Sequence, residues 1–336
     1  MGRKIGKQTI EFTSPVAVKG YFSSVAKKEG DGPLGGYFDV VYKDEYIEAK
    51  SWEEAENRIL KHTVNGALTK ARLTSNDIDY VFSGDLLNQC TASSFALKDM
   101  NIPYFGLYGA CSTMAESMSL AAVMVDAGYG KNVLAATSSH FCSSEKQYRF
   151  PLEYGGVRTP TSQWTVTGSG AVILSDSGTG LHIKSITTGK MLDYGVSDVN
   201  NMGAAMAPAA ADCIYAHLTD TGRNPGFYDR IVTGDLGEVG SALLIEIMQK
   251  QDIDISGVHC DCGSMIFDAE RQGTNAGGSG CGCSASVFCS YFCKEMITGT
   301  FDRILLVCTG ALMSPTTAQL GENVVGIAHA VEIERV

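Results

Sequence analysis

The sequence predicts an α/β protein assembled from two similar halves. Three observations predict it: a long segment that occurs twice, strands that alternate with helices, and a cysteine-bearing turn where a strand runs into a helix. Ile78-Asp-Tyr-Val-Phe-Ser-Gly-Asp85-Leu is echoed by Tyr228-Asp-Arg-Ile-Val-Thr-Gly-Asp235-Leu, 150 residues further on. Gly109-Ala-Cys111-Ser, a helical stretch and Lys131-Asn-Val-Leu134 are echoed by Gly280-Cys-Gly-Cys283-Ser, a helical stretch and Asp302-Arg-Ile-Leu305, with Leu134 and Leu305 offset by 171. The second copy has therefore gained residues between its landmarks. So long a period does not fit a solenoid. It fits two α/β halves packed as one unit, residues 1–178 and 180–336, with Ser175-Asp-Ser-Gly-Thr-Gly180 at the seam.

Along the chain, residues 51–72 form an amphipathic helix opened by Ser51-x-x-Glu54, a capping box. Residues 78–84 and 102–109 read as strands, and 112–127 as a helix closed by Gly128. Strands at 133–139 and 164–174 end the first half. The second half carries strands at 182–187, 231–234, 303–308 and 324–331, and helices at 207–218, 241–249 and 284–298. The alternation implies mainly parallel sheets with helical cover. Gly30-Asp-Gly-Pro-Leu-Gly-Gly-Tyr37 reads as a flexible surface loop.

Length allows one large domain or two of average size, each with its own core. A formal charge of −11 argues against sequence-independent nucleic-acid binding, which needs a basic surface. Met1-Gly-Arg-Lys-Ile-Gly-Lys leads into no apolar segment, so no signal peptide is expected. No apolar run approaches the ~20 residues that span a bilayer, and Met1-Gly2 without Ser or Thr at the sixth position is a poor myristoylation signal. The eleven cysteines are expected to be reduced. Cys260-Asp-Cys262 and Cys281-Gly-Cys283 lack the Cys-x-x-Cys spacing of structural zinc sites, so no metal site is expected. Cys289 and Cys293, one helical turn apart, read as core, and His182, His217, His259 and His329 as structural.

Cys111 is the candidate reactive residue. A thiol at this strand-to-helix turn meets unpaired backbone N–H groups and the positive end of the helix dipole, both of which favour the thiolate.

Together with the Gly-Ser-Gly-Ala-Val strand at 168–172 and a glycine turn late in the chain, these features resemble the thiolase superfamily, and within it the ketoacyl-carrier-protein synthase III branch. Met202-Gly-Ala-Ala-Met-Ala-Pro-Ala-Ala-Ala211 is similar to that branch's Gly-x-x-Val-Phe-x-x-Ala segment. The resemblance implies a thiolase-like fold of two α/β halves in a layered α-β-α-β-α arrangement. It also implies a cysteine acyl acceptor assisted by His and Asn, or by two His. Cys111 matches the nucleophile, but the histidine turn reads Val232-Thr-Gly-Asp235-Leu-Gly-Glu, and the asparagine turn reads Gly280-Cys281-Gly-Cys283-Ser. A carboxylate at Asp235 repels a thiolate and an enolate alike. Losing donors of this kind lowers turnover about 10²–10³-fold each. The expectation is a retained fold without catalysis, with Cys111 as a vestigial nucleophile and His140 the other imidazole to consider.

The run from Ser138 to Ala171, containing His140-Phe-Cys-Ser-Ser-Glu-Lys-Gln-Tyr-Arg149 and Arg158-Thr-Pro-Thr-Ser-Gln-Trp164, resembles the stage V sporulation protein AD family of endospore-forming bacteria. That resemblance implies binding of dipicolinic acid (pyridine-2,6-dicarboxylate), alone or with calcium, and no cofactor. It implies work beside other stage V sporulation membrane proteins, on the cytoplasmic side of the spore inner membrane, for uptake into the developing spore and release at germination. It implies a homodimer as well. A flat aromatic dianion needs an apolar slot and convergent donors. Candidate contacts are the helix N-terminus at Cys111 and Ser112, the backbone at Gly310 and Ala311, and Ser139, His140, Arg149 and Arg158. Asp235 and Cys281 line the same pocket, and Asp198 is a candidate oxygen ligand for accompanying calcium. The alternative is a thiolase-superfamily acyltransferase or condensing enzyme that uses Cys111 as acyl acceptor.

Overall fold

The computed structural model describes residues 2–148 and 158–336. Ten strands build its core: β1 (Ala17–Val25), β2 (Tyr80–Gly84), β3 (Tyr104–Leu107), β4 (Asn132–Ser139), β5 (Gly168–Ser175), β6 (Leu181–Thr188), β7 (Arg230–Thr233), β8 (His259–Asp261), β9 (Arg303–Leu312) and β10 (Val325–Arg335). The spatial order β1-β5-β4-β2-β3 recurs as β6-β10-β9-β7-β8. In each run the first two pairings are antiparallel and the last two parallel. Parallel pairing is thus confined to one side of each run, because β5 and β10 return antiparallel between their neighbours. Ala17 opposite His182 is the single register pair that joins β1 to β6.

Six helices position the site: α1 (Trp52–Ala71), α2 (Thr113–Asp126), α3 (Phe141–Tyr148), α4 (Met202–Thr221), α5 (Gly237–Gln249) and α6 (Cys281–Val287). Strands buried on both faces sort their side chains with a period of two. Leu134 and Ala136 of β4 pack outward with Leu60 and Val64 of α1, whereas Val133 and Ala135 face inward. In β9, Leu305 and Val307 join Ile214 of α4 and Leu244 of α5, whereas Ile304 and Leu306 face inward. The inner layer holds α2 and the helical run that starts with α6, and there Met114, Met118, Phe288 and Phe292 are fully enclosed. The result is the expected five-layer α-β-α-β-α stack.

Several element ends differ from the sequence reading, each for a local reason. Ser51 caps α1 by accepting from Glu54 N at 3.2 Å, but the Glu54 carboxylate takes Lys50 N at 2.9 Å, one residue before the box would close. Helix α4 begins at Met202, where the Asn201 side chain accepts from Ala204 N, so Pro208 lies inside the helix. Residues 164–174 do not form one strand. Trp164–Thr165 pairs with Gly278–Ser279 in a separate two-stranded sheet, and β5 starts afresh at Gly168. A π-helical turn at Phe288–Phe292 interrupts the last long helix, with Cys289 and Cys293 both buried. Leu34, within the expected surface loop, is buried in the inner core.

Leu306→Ala removes a fully buried side chain from the inner face of β9 and is expected to destabilise the fold by about 2–5 kcal/mol in urea unfolding. The control Leu320→Ala, at a residue 73% exposed, is expected to stay within about 0.5 kcal/mol.

Candidate functional site

A cavity of about 560 Å³ opens where the Cys111 turn, α3, the start of α4 and the end of β9 meet. Cys111 and Ser279, both buried, line it at depth. Leu86, Tyr108, Tyr148, Met202 and Met313 supply apolar lining, and Ser144, Glu145, Arg158 and Gln163 polar lining. None of the six histidines lines it among the described residues.

The Cys111 turn is built tightly. Chain leaving β3 passes through Ala110, whose φ of +52° is left-handed and uncommon for a residue with a Cβ. A 3-10 turn at Ala110–Ser112 follows, and α2 begins. Ser112 Oγ donates to Gly109 O at 2.7 Å, so its hydroxyl serves the turn. Gly310 of β9 presses on the same turn: a Cβ there would lie 2.7 Å from Gly109 O and 3.2 Å from Ser112 N. Only glycine permits that approach. Its neighbour Ala311 lines the cavity.

Asp235 is 1% exposed and faces this turn from the other half. Its Oδ1 accepts from Thr309 Oγ1 at 2.8 Å, and its Oδ2 accepts from Ser279 Oγ at 3.2 Å and Gly280 N at 3.0 Å. Ser279 Oγ lies in turn 3.9 Å from Cys111 Sγ. The repeat explains how Asp235 is free to do this. Its counterpart Asp85 is spent locally, accepting from Leu87 N at 2.8 Å and Ser93 N at 2.7 Å. In the second half Asp261 of β8 takes the local N–H groups instead, those of Leu236 at 2.8 Å, Gly237 at 2.9 Å and Ser264 at 3.0 Å.

Burial pushes the Asp235 carboxyl up to about 6, partly offset by the donors around it. Burial first, and Asp235 next, hold the Cys111 thiol well above its ordinary value. The thiol is therefore neutral: dehydration, together with the carboxylate whose repulsion the sequence led one to expect, outweighs the pull of the helix N-terminus. Cys281 is fully buried, packs with Leu86 and Cys111, and donates its thiol to Ser138 O at 2.9 Å. Cys111, Asp235 and Cys281 thus converge, but of the three only Cys111 lines the cavity, so the expected place of Asp235 and Cys281 in its lining is corrected.

Other candidate residues point elsewhere. Ser139 Oγ donates to Val166 O at 2.7 Å and accepts Gly282 N at 3.1 Å, pinning the start of α6. His140 is buried. Its Nδ1 accepts from Cys142 N at 3.1 Å and its Nε2 lies 2.8 Å from Glu45 O, which places the proton on Nε2. Burial also lowers its pKa, so His140 is a neutral structural ring rather than an anion donor or a partner for Cys111. Asp198 is exposed and accepts from Asn200 N at 2.9 Å within its own turn. Arg149 lies outside the described residues. Lys146 bridges Glu53 at 2.6 Å on the surface.

Arg158 lines the cavity but is already engaged. It pairs with Glu145 at 3.0 Å, donates to Gln163 O, and lies over the Trp164 ring at 5.0 Å. Glu145 and Gln163 were missed by sequence reasoning, as were Ser279, Tyr108 and Tyr148. Each adjoins a quoted motif, and only the path of the loops decides which side chains turn inward. Among the described residues there is no cluster of three or more side chains able to hold a metal ion.

The fold is shared with solved structures. Cerulenin-bound OleA of Xanthomonas campestris superposes with a TM-score of 0.60 at 14% identity, covering 96% of this chain and 97% of that one. The 3-oxoacyl-[acyl-carrier-protein] synthase III of Aquifex aeolicus superposes with a TM-score of 0.56 at 13% identity, covering 95% and 99%. These neighbours define a thiolase-type fold. The family described as Stage V sporulation protein AD matches residues 6–334, and the Bacillus subtilis (strain 168) protein of that name is 44% identical over 330 residues, 98% of this chain and 97% of its own length. The chain belongs to the stage V sporulation protein AD family.

A neutral, enclosed Cys111 is expected to alkylate slowly at pH 7, read by peptide mapping after iodoacetamide. Asp235→Asn removes the carboxylate and should raise the Cys111 rate roughly tenfold or more. Complete modification of the unmodified chain within minutes contradicts the assignment.

Proposed function

We propose that this sporulation protein is a non-catalytic binder of dipicolinic acid, alone or as its calcium chelate, working in a membrane channel complex that takes the anion into the developing spore and releases it at germination. The observation that carries the reading is the pairing at depth: the position next to Cys111 holds Asp235, and among the described residues no imidazole lines the cavity. Among the described residues no imidazole stands beside Cys111 to stabilise its thiolate, while a pocket for a small ring remains. Tyr108, Tyr148 and Leu86 offer apolar contact to the ring, and Arg158 offers a planar donor pair to a carboxylate. Because Arg158 already bonds Glu145, an incoming carboxylate must compete with that ion pair.

No helix among the described residues is long and apolar enough to cross a membrane. In this reading the chain is peripheral to the cytoplasmic face of the spore inner membrane, held there by the other stage V sporulation membrane proteins. A homodimer is part of the same reading. Strand β3 is the last strand of its run, and its Phe105 is 50% exposed, which suits pairing with a second copy. The second reading, a thiolase-superfamily acyltransferase, is favoured by one observation, the position of Cys111 in a cavity at the start of α2.

Calorimetric titration with dipicolinate tests the first reading. Saturable binding is expected. Arg158→Ala should weaken it by roughly 10- to 100-fold, the worth of a charge-assisted hydrogen bond. Glu145→Gln should strengthen it by releasing the guanidinium. Affinity indifferent to both changes and to added salt contradicts the proposed contact.

A further inference from the structure

We propose that the cavity takes its anionic ligand together with one proton, which lodges on Asp235. The proposal rests on the dicarboxylate-binding reading above and adds a coupling to pH.

The charges around Asp235 motivate it. From β9 comes the Thr309 hydroxyl, and from the turn into α6 come the Ser279 hydroxyl and Gly280 N. The Cys111 thiol comes from the turn before α2, and Asp261 approaches from β8. The thiols of Cys262, Cys281 and Cys283 sense its charge from the surrounding core. On its own backbone the Asp235 carbonyl accepts from Gln163 Nε2 at 2.6 Å. None of these groups is cationic, and no ion pair involves Asp235 among the described residues. Arg158, the guanidinium that lines the cavity, is bonded to Glu145. Among the described lining residues the Arg158 guanidinium is matched by the Glu145 carboxylate, Asp235 is a further buried carboxylate beside Cys111, and a dianion entering the cavity adds two more negative charges. Repulsion in a partly dehydrated site favours the neutral form of the carboxyl with no cation of its own.

The hydrogen bonds allow that form without rearranging the backbone. At present Ser279 Oγ donates to Asp235 Oδ2. When a solvent proton binds Oδ2, that oxygen donates to Ser279 Oγ instead, and the serine O–H is released to turn toward the cavity that Ser279 lines. Protonation thus removes a repelling charge and creates a donor for a ligand carboxylate in one step. Gln163 positions the pair: its Nε2 donates to Asp235 O at 2.6 Å and to Gly278 O at 2.8 Å, tying the two segments together. Burial, offset in part by the donors around it and reinforced by Asp261, brings the Asp235 carboxyl up to about 6, so a modest further push protonates it near neutral pH.

Calorimetry on the full chain at pH 7, with dipicolinate titrated in two buffers of different ionisation heat, counts the protons taken up. About one proton per ligand is expected. The affinity should fall roughly tenfold per pH unit above about 6. Asp235→Asn should bind with an affinity flat between pH 6 and 8, because its amide retains acceptor and donor sites but does not titrate. Glu145→Gln should keep the slope. Binding without proton uptake, or a slope that survives Asp235→Asn, overturns this proposal and leaves the binding reading standing. Absence of dipicolinate binding at any pH overturns both. The two-buffer count needs no variant, so a misfolded Asp235→Asn does not rescue the idea.

Discussion

A carboxylate taken out of water and given only hydroxyl, amide and thiol neighbours organises the centre of this molecule. Asp235 draws together β9 through Thr309, the entry to α6 through Gly280, and the Cys111 turn through Ser279. Ion pairing would let such a group stay charged at little expense. Here, among the described residues, its charge is met by dipoles alone, so the carboxyl is poised to take a proton and the thiol beside it keeps its own.

The doubled scaffold is what makes that arrangement reachable. One half supplies the cysteine turn at the head of α2, and the other supplies the acceptor that faces it. In the first half the repeat aspartate, Asp85, spends its oxygens on nearby N–H groups. In the second half Asp261 takes over that local work, and Asp235 can reach across. Gly310 lets the strands of one half come within contact of the turn of the other. A departure from symmetry in two aspartates therefore sets the chemistry of the pocket.

Much of the architecture was legible because repeats and hydrophobic periodicity are local signals. The echo between Asp85 and Asp235 announced paired halves, and the strand orders of the two runs coincide. Strand β1 was not legible. Lys19-Gly20 and Ser23-Ser24 break its apolar run, and it is a strand because β5 pairs along it. The turn motifs pointed to Cys111, which lines the cavity, and to Asp235 and Cys281, which lie close to Cys111 without lining it. Ser139 and His140 misled because polar residues beside a motif are as easily used to fasten backbone, here Gly282 N and Glu45 O, as to face a ligand. Glu145 and Gln163 gave no advance signal, since their roles depend on where α3 and the chain after Arg158 pass over the cavity.

The proposed non-catalytic role requires that this thiol, held neutral beside a carboxylate, accepts no acyl group. Intact-mass spectrometry after incubation with acetyl-CoA and malonyl-carrier donors tests it most directly. The account predicts an unmodified chain and no turnover. Acyl transfer to Cys111, with turnover abolished by Cys111→Ser, contradicts it.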